Sequence, residues 1–232
     1  MRDPHADTSI MESPAEFAEL FFASGGSPLP MTFGAASHVG RVREQNEDHY
    51  AIVRMERRLE LLQSSLLPKD RPAPDSMSHA VIVADGMGGM KSGELASRLA
   101  LQTMLELAGQ ATSWVMKLTS PDAQQIEQRV HAYVQRIHET LRERSENDPS
   151  TTDMGTTWTS AHLLGRQAVV VHVGDSRAYL FRNGDLRQIT RDQTMAQALL
   201  DGGLSPDSVT KFRHILLNSF GGGNETVEAT IH

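Results

Sequence analysis

The run from Arg43 to Asp48 contains residue types that could hold a metal ion and a phosphate group. Two adjacent carboxylates, Glu47 and Asp48, directly precede a predicted strand, and Arg43 stands five residues before Asp48. Carboxylate oxygens suit Mg²⁺ or Mn²⁺, and a guanidinium group binds phosphate through two parallel hydrogen bonds. The same run also fits a solvated charged loop, so this segment alone leaves both interpretations open.

A second candidate is Asp85, the first residue of the sequence Asp-Gly-Met-Gly-Gly. It follows the apolar residues 81–84, so we expect its carboxylate at the end of a buried strand, where a charge needs a cation or several donors. The neighbouring glycines would let a backbone carbonyl or a substrate approach closely. The alternative is a glycine-rich turn in which Asp85 is a local cap.

Two later segments supply further candidates. Asp153 precedes Met-Gly-Thr-Thr and an apolar run at 158–164, while Asp175 and Arg177 stand at a predicted bend between two strands. For Asp175 and Arg177 we favour a structural role, in which the two side chains pair and fix the bend.

The elements around these residues predict an α+β arrangement. Strand-like runs occupy residues 49–55, 80–84, 167–173 and 176–182, and Asn183-Gly184 predicts a hairpin that returns through 186–189. Between the strand blocks, apolar residues recur at helical spacing over 92–107 and 125–144. Residues 1–30 are predicted to be a tail and linker, with a short helix near 13–22 that docks on its own domain or on a partner.

Composition excludes several classes of protein. The 232 residues include 22 Lys and Arg against 29 Asp and Glu, a net charge of −7, which argues against a nucleic-acid partner. The absence of cysteine excludes disulfides, thiolate zinc sites and cysteine-dependent phosphatases. No apolar run approaches the ~20 residues that cross a bilayer, and the first residues lack a secretory apolar region. We therefore expect a cytoplasmic protein with neither nucleic acid nor membrane as a partner.

The four segments, in this order, resemble the metal-dependent, type 2C-like protein serine/threonine phosphatases in their bacterial form. The matching pieces are residues 40–48, 84–89, 154–157 and 172–180, and the resemblance extends over about 31–232. It implies an α-β-β-α sandwich of two antiparallel sheets flanked by antiparallel helix pairs. It also implies hydrolysis of phosphoserine and phosphothreonine in proteins, with a cognate protein kinase as a further partner.

The resemblance also implies roles for individual residues. Asp85 would bridge two Mn²⁺ or Mg²⁺ ions and the Gly86 carbonyl would bind one of them, while Asp48, with Glu47 beside it, would hold the other. Arg43 would bind the phosphate, and a metal-bridging hydroxide would attack it in line. Asp153 is a candidate for an additional, third metal ion.

The sequence departs from the family pattern at two places. The Asp-Gly and Asp-Asn segments that supply further metal-binding aspartates do not occur before His232, and Asp201-Gly202 follows a helical stretch, so we do not give it that role. We therefore expect a phosphatase domain that lacks its C-terminal strands, and little activity from residues 1–232 alone. Gln193 stands where the family usually has histidine, in a position that we expect to be structural.

Two alternatives remain open at this point. A non-catalytic, phosphatase-like module or inactive fragment would bind a phosphoprotein or a kinase without hydrolysis. A metal-dependent hydrolase of small phosphate esters would use the same site residues on nucleotides or sugar phosphates.

Overall fold

The computed structural model describes residues 30–58, 63, 75–88, 90–115, 123–164 and 167–232. The predicted tail helix near 13–22 lies outside these residues. Within them, no helix combines the length and the apolar character needed to cross a membrane.

The predicted α+β class is confirmed, and the strand pairs within these ranges are all antiparallel. The strands are β1 Asp48–Arg58, β2 Asp75–Met87, β3 Gly155–Thr156, β4 Trp158–Leu164, β5 Gln167–Val173, β6 Tyr179–Arg182, β7 Asp185–Gln188, β8 Phe220–Gly221 and β9 Thr230–Ile231. The helices are α1 Met90–Val115, α2 Ala123–Asn147 and α3 Met195–Asp201, with 3₁₀ turns at Pro149–Thr151 and Thr210–Phe212. Among the described residues, seven strands form one sheet in the order β8-β3-β2-β4-β5-β9, with β1 also on β2, while β6 and β7 form a separate hairpin.

Helices α1 and α2 cover one face of the seven-stranded sheet. Side chains alternate between the two faces along a strand, so apolar residues at every second position form one apolar face on which the helices pack. Ala80, Ile82 and Ala84 of β2 are buried towards the helices, whereas Val83 on the opposite face is 44% exposed. The helical stripes meet this apolar face with the buried residues Ala96, Ala100, Val134, Ile137 and Leu141. The core therefore lies between the helix pair and the sheet.

The hairpin begins over the other face of the sheet. Thr159 lies opposite Val83 in the register, and its hydroxyl donates to the carbonyl of Ser176, just before β6. At the tip, Asn183 and Gly184 have φ values of 55° and 89°, the left-handed pair that the type I′ turn requires. The second sheet of the predicted architecture thus starts on the face that carries Asp85.

One predicted boundary was wrong in a way that matters for the site. Asp85 does not follow the end of a strand, because β2 continues through Asp85 and Gly86 to Met87. The reason is cross-strand pairing, since Asp85 pairs with Asp48 and Gly86 pairs with Thr156. Backbone partners on both sides outweigh the local preference of the glycines for a turn.

Candidate metal centre

Asp48 and Asp85 are brought together by the register of two neighbouring strands. They are directly opposite each other in the β1–β2 pairing, so both side chains leave the same face of the sheet. The Asn46 side chain accepts from the backbone N–H of Asp48 at 3.1 Å and stabilises the entry into β1. Two residues 37 positions apart in the chain thus form a carboxylate pair.

The backbone of Asp85 is held by Thr156 and Thr157, the two threonines of segment 154–157. Its carbonyl accepts from the Thr157 N–H and from the Thr156 hydroxyl, each at 2.9 Å. Its N–H donates to the Thr157 hydroxyl at 3.1 Å, and that oxygen lies 2.6 Å from the Ser176 hydroxyl. The sequence alone predicted no role for Thr156 and Thr157, yet they connect Asp85 to segment 172–180, which contains Ser176.

The carboxyl group of Asp85 resists ionisation in this setting. Partial desolvation, followed by the charge of Asp48 and a hydrogen bond with its carboxyl group, raises the pKa of Asp85 from 3.8 to about 6. Asp175 adds a further raising contribution, and Arg43 opposes it. Crowded carboxylates of this kind are stabilised by a bound cation, which removes the repulsion between them.

Glycine at position 86 is required by close packing. A Cβ there would lie 2.0 Å from the Gly93 carbonyl oxygen of α1 and 2.8 Å from that of Glu47. The Gly86 N–H donates to the Glu47 carbonyl at 3.2 Å. Direct backbone contacts therefore join β2, which carries Asp85, to the first turns of α1 and to Glu47.

Arg43 and Glu47 form an ion pair at the edge of this centre. The distance from Arg43 Nη1 to Glu47 Oε2 is 2.5 Å, and the Glu47 side chain is buried while that of Arg43 is 64% exposed. A cavity of about 400 Å³ opens beside them, lined by residues 42–45, Glu47, Met87 and Gly88. The structure thus brings the predicted phosphate-binding residue to the same end of the sheet as Asp85.

The predicted pairing of Asp175 with Arg177 was wrong. Arg177 instead binds Asp192 through two parallel hydrogen bonds, from Nε at 2.8 Å and from Nη2 at 2.5 Å. Asp192 presents both oxygens to the planar guanidinium fork, a geometry that the bend does not give to Asp175. Asp175 is left half-buried, with a pKa raised by desolvation and by Asp192, and its charge reaches Asp85.

Asp153 lies at the border of the site, next to the glycine-rich segment. Its carbonyl oxygen would lie 2.5 Å from a Cβ at Gly88, which has a φ of +113° and so accommodates the contact only as glycine. The Asp153 side chain itself is exposed to solvent. Asp153 therefore contacts Gly88 through its backbone and not through its side chain.

Gln193 connects the end of β5 with the last residues of the chain. Its side-chain oxygen accepts from the Gly174 N–H and from the Asn218 amide, each at 2.7 Å, and its amide donates to the Thr230 hydroxyl at 2.9 Å. These bonds give Gln193 the structural role that its position predicts.

The donor set fits a divalent cation but is not a complete two-ion site. Asp48 and Asp85 offer the hard oxygen donors that such an ion prefers, and burial, together with the charge of Asp48, raises the pKa of Asp85. In the described ranges, no group of three or more His, Cys, Asp or Glu side chains is arranged to hold a metal ion. The residues present could thus hold a cation on the face of the sheet that Asp48 and Asp85 share, with the rest of its coordination shell supplied from elsewhere.

The sequence is similar to known protein phosphatases. Residues 70–199 match the family model described as protein phosphatase 2C. The serine/threonine phosphatase Stp of Listeria welshimeri is 33% identical over 144 residues, which is 61% of this chain and 55% of that protein. The chain therefore spans about half the length of this curated relative.

Two solved structures share the fold. The serine/threonine phosphatase PstP/Ppp of Mycobacterium tuberculosis has a TM-score of 0.60 and 28% identity, covering 85% of this chain and 70% of that one. The catalytic domain of PstP in complex with two manganese ions has a TM-score of 0.58 and 28% identity, with the same coverage. Since the family model spans more than half of the sequence, the chain belongs to the protein phosphatase 2C family.

Proposed function

We propose that the protein containing this chain is a metal-dependent phosphatase that hydrolyses phosphoserine and phosphothreonine in proteins. The observation that carries the proposal is the Asp48–Asp85 carboxylate pair with Arg43 beside it. Hard oxygen donors for a cation and a guanidinium group for a phosphate lie at one end of one sheet. The family and the names of its serine/threonine phosphatase relatives support protein substrates.

The residues that would hold the metal are Asp48, Asp85 and the carbonyl of Gly86. The complex of PstP with two manganese ions supports Mn²⁺ as the ion and two as the number. Bound divalent ions lower the pKa of a coordinated water and so supply a hydroxide nucleophile near neutral pH. Asp175 adds negative charge close enough to raise the pKa of Asp85. Glu47 and Asp153 remain further candidate ligands, although Arg43 occupies the Glu47 carboxylate and the Asp153 side chain points to solvent.

The other residues of the site would bind and orient the substrate. Arg43 would place its guanidinium fork on two non-bridging oxygens of the phosphate and offset their charge. The cavity beside it, with Met87 and Gly88 in its wall, would take the phosphorylated side chain. Thr157 would keep Asp85 in place through the backbone. Since the chain has no cysteine, hydrolysis by water rather than through a thiol intermediate is the chemistry that these residues support.

The proposal is tested by phosphate release from a phosphothreonine peptide, a nucleotide and a sugar phosphate, each with and without Mn²⁺. The full natural protein should act on the peptide in a Mn²⁺-dependent manner, and Asp85→Asn should abolish release. A preference for the small esters would favour the hydrolase of small phosphate esters. Equal release by the parent and Asp85→Asn would contradict the site assignment. The cytoplasmic location and the kinase partner stay predictions.

A further inference from the structure

Arg43 is a long side chain on an exposed loop, and such a side chain has many rotamers. About two thirds of its surface meets solvent, and Val42 beside it is 94% exposed. A freely rotating guanidinium would lose conformational entropy each time it bound an anion, which weakens binding. Binding of a phosphate is stronger when the guanidinium is already held in place.

Glu47, in contrast, is among the most firmly held residues of the site. It is 6% exposed, and its carbonyl accepts from the Ser97 hydroxyl at 2.6 Å and from the Gly86 N–H at 3.2 Å. Ser97 itself is fully buried in α1, and the contact between Gly86 and Gly93 leaves no space for the backbone to shift. The backbone of Glu47 is thus fixed by β2 and α1, and its buried side chain extends from this fixed point rather than from the loop.

The contact between Glu47 and Arg43 restricts the side chain of Arg43, although Arg43 lies on an exposed loop. Nη1 of Arg43 donates to Oε2 of Glu47 at 2.5 Å, a charge-assisted hydrogen bond. A guanidinium group has five N–H donors, so the others stay available beside the cavity that both residues line. The charge of Arg43 also lowers the pKa of Asp85, so the guanidinium lies near the carboxylate pair as well as at the cavity.

We propose that Glu47 is a positioning residue, whose buried carboxylate holds the guanidinium of Arg43 at the cavity for a phosphate monoester, and that this contact, not metal ligation, is its role. The proposal rests on the proposed function, since it concerns how the same site binds its substrate. It separates the two neighbouring acids of the first motif: Asp48 acts on the cation and Glu47 acts through Arg43.

The experiment compares Glu47→Gln, Arg43→Ala and the double variant in the full natural protein. Gln keeps the shape of Glu and removes its charge. Glu56→Gln is the matched control, because Glu56 forms a similar pair with Arg54, at 2.9 Å, on the exposed part of β1. Calorimetry gives the Kd for Mn²⁺ and, with Mn²⁺ present, the Kd for inorganic phosphate. Peptide hydrolysis gives KM and kcat.

We expect Glu47→Gln to raise KM and the phosphate Kd about five- to tenfold, with kcat and the Mn²⁺ Kd within about twofold of the parent. Arg43→Ala should raise them further, and the double variant should equal Arg43→Ala because the two residues act as one unit. A tenfold loss of Mn²⁺ affinity in Glu47→Gln would identify Glu47 as a metal ligand and overturn the proposal. Additive effects in the double variant would overturn it as well.

A second measurement does not depend on how the Glu47 variant folds. In the parent protein, the side-chain N–H signals of Arg43, assigned by comparison with Arg43→Lys, should show a rigid guanidinium in NMR relaxation without phosphate. A freely rotating group would overturn the proposal. If the parent protein hydrolyses no phosphopeptide, the proposed function fails, while the phosphate Kd and the NMR signals still decide the role of Glu47.

Discussion

The raised pKa of Asp85 should make cation binding depend on pH. Because this pKa is about 6, a proton competes with the cation for the same oxygens over an accessible range of pH. The fraction of ionised Asp85 would fall from about nine tenths at pH 7 to about one tenth at pH 5. Mn²⁺ affinity should therefore fall about tenfold between these pH values, and binding should release about 0.1 proton at pH 7 and about 0.9 at pH 5.

Isothermal titration of Mn²⁺ in two buffers of different ionisation enthalpy measures both quantities. Asp207→Asn is a suitable control, since Asp207 is exposed and far along the chain from the site, and this variant should keep the pH dependence of the parent. The metal-free protein gives an independent check. Since the native state binds the Asp85 proton more tightly than the unfolded chain, the stability of the metal-free fold should fall as pH rises from about 4 to about 6. A Mn²⁺ affinity that is constant from pH 5 to pH 7, without proton release, would refute the reasoning.

Three further predictions concern single residues. Asp85→Asn should remove most Mn²⁺ binding in calorimetry, because it replaces one of the two paired carboxylates that would hold the ion. Binding equal to that of the parent would show that the site is elsewhere. Arg43→Ala should raise KM by about 10- to 150-fold, the range of about 1.5–3 kcal/mol for a hydrogen bond to a charged group, with the Mn²⁺ Kd unchanged. An unchanged KM together with lost Mn²⁺ binding would contradict its role. Thr157→Val keeps the side-chain shape but leaves the Asp85 N–H without its hydroxyl partner, so thermal unfolding should show a loss of about 1–3 kcal/mol and Mn²⁺ should bind more weakly. A variant as stable as the parent, with the same Mn²⁺ affinity, would show that this bond does not hold Asp85.

The elements that depend on local patterns were predicted well from the sequence. The strand at 167–173 has the predicted bounds, because a run of four β-branched or apolar residues favours a buried strand. In α2, Val134, Ile137 and Leu141 are buried at the predicted helical spacing. The Asn183-Gly184 turn also follows from local chemistry, since both positions need a positive φ. Periodicity and turn residues thus locate the elements that carry the site.

The contacts that hold the site together could not be predicted in the same way. Thr157 holds Asp85 across 72 positions, and Arg177 selects Asp192, 15 positions away, over the nearby Asp175. These partners are decided by strand register and by the path of the chain after β5, which single-sequence patterns do not contain. For the same reason, the glycines after Asp85 predicted a turn, whereas pairing with Asp48 and Thr156 extends the strand.

The most direct test of the central claim, that Asp48 and Asp85 form a divalent-cation site, is a crystal of the protein grown with Mn²⁺ and measured for the anomalous scattering of manganese. The account predicts an anomalous peak within bonding distance of a carboxylate oxygen of Asp85, on the face of the sheet shared with Asp48, and no such peak in Asp85→Asn. A manganese peak only at other residues, or a peak that persists in Asp85→Asn, would contradict it.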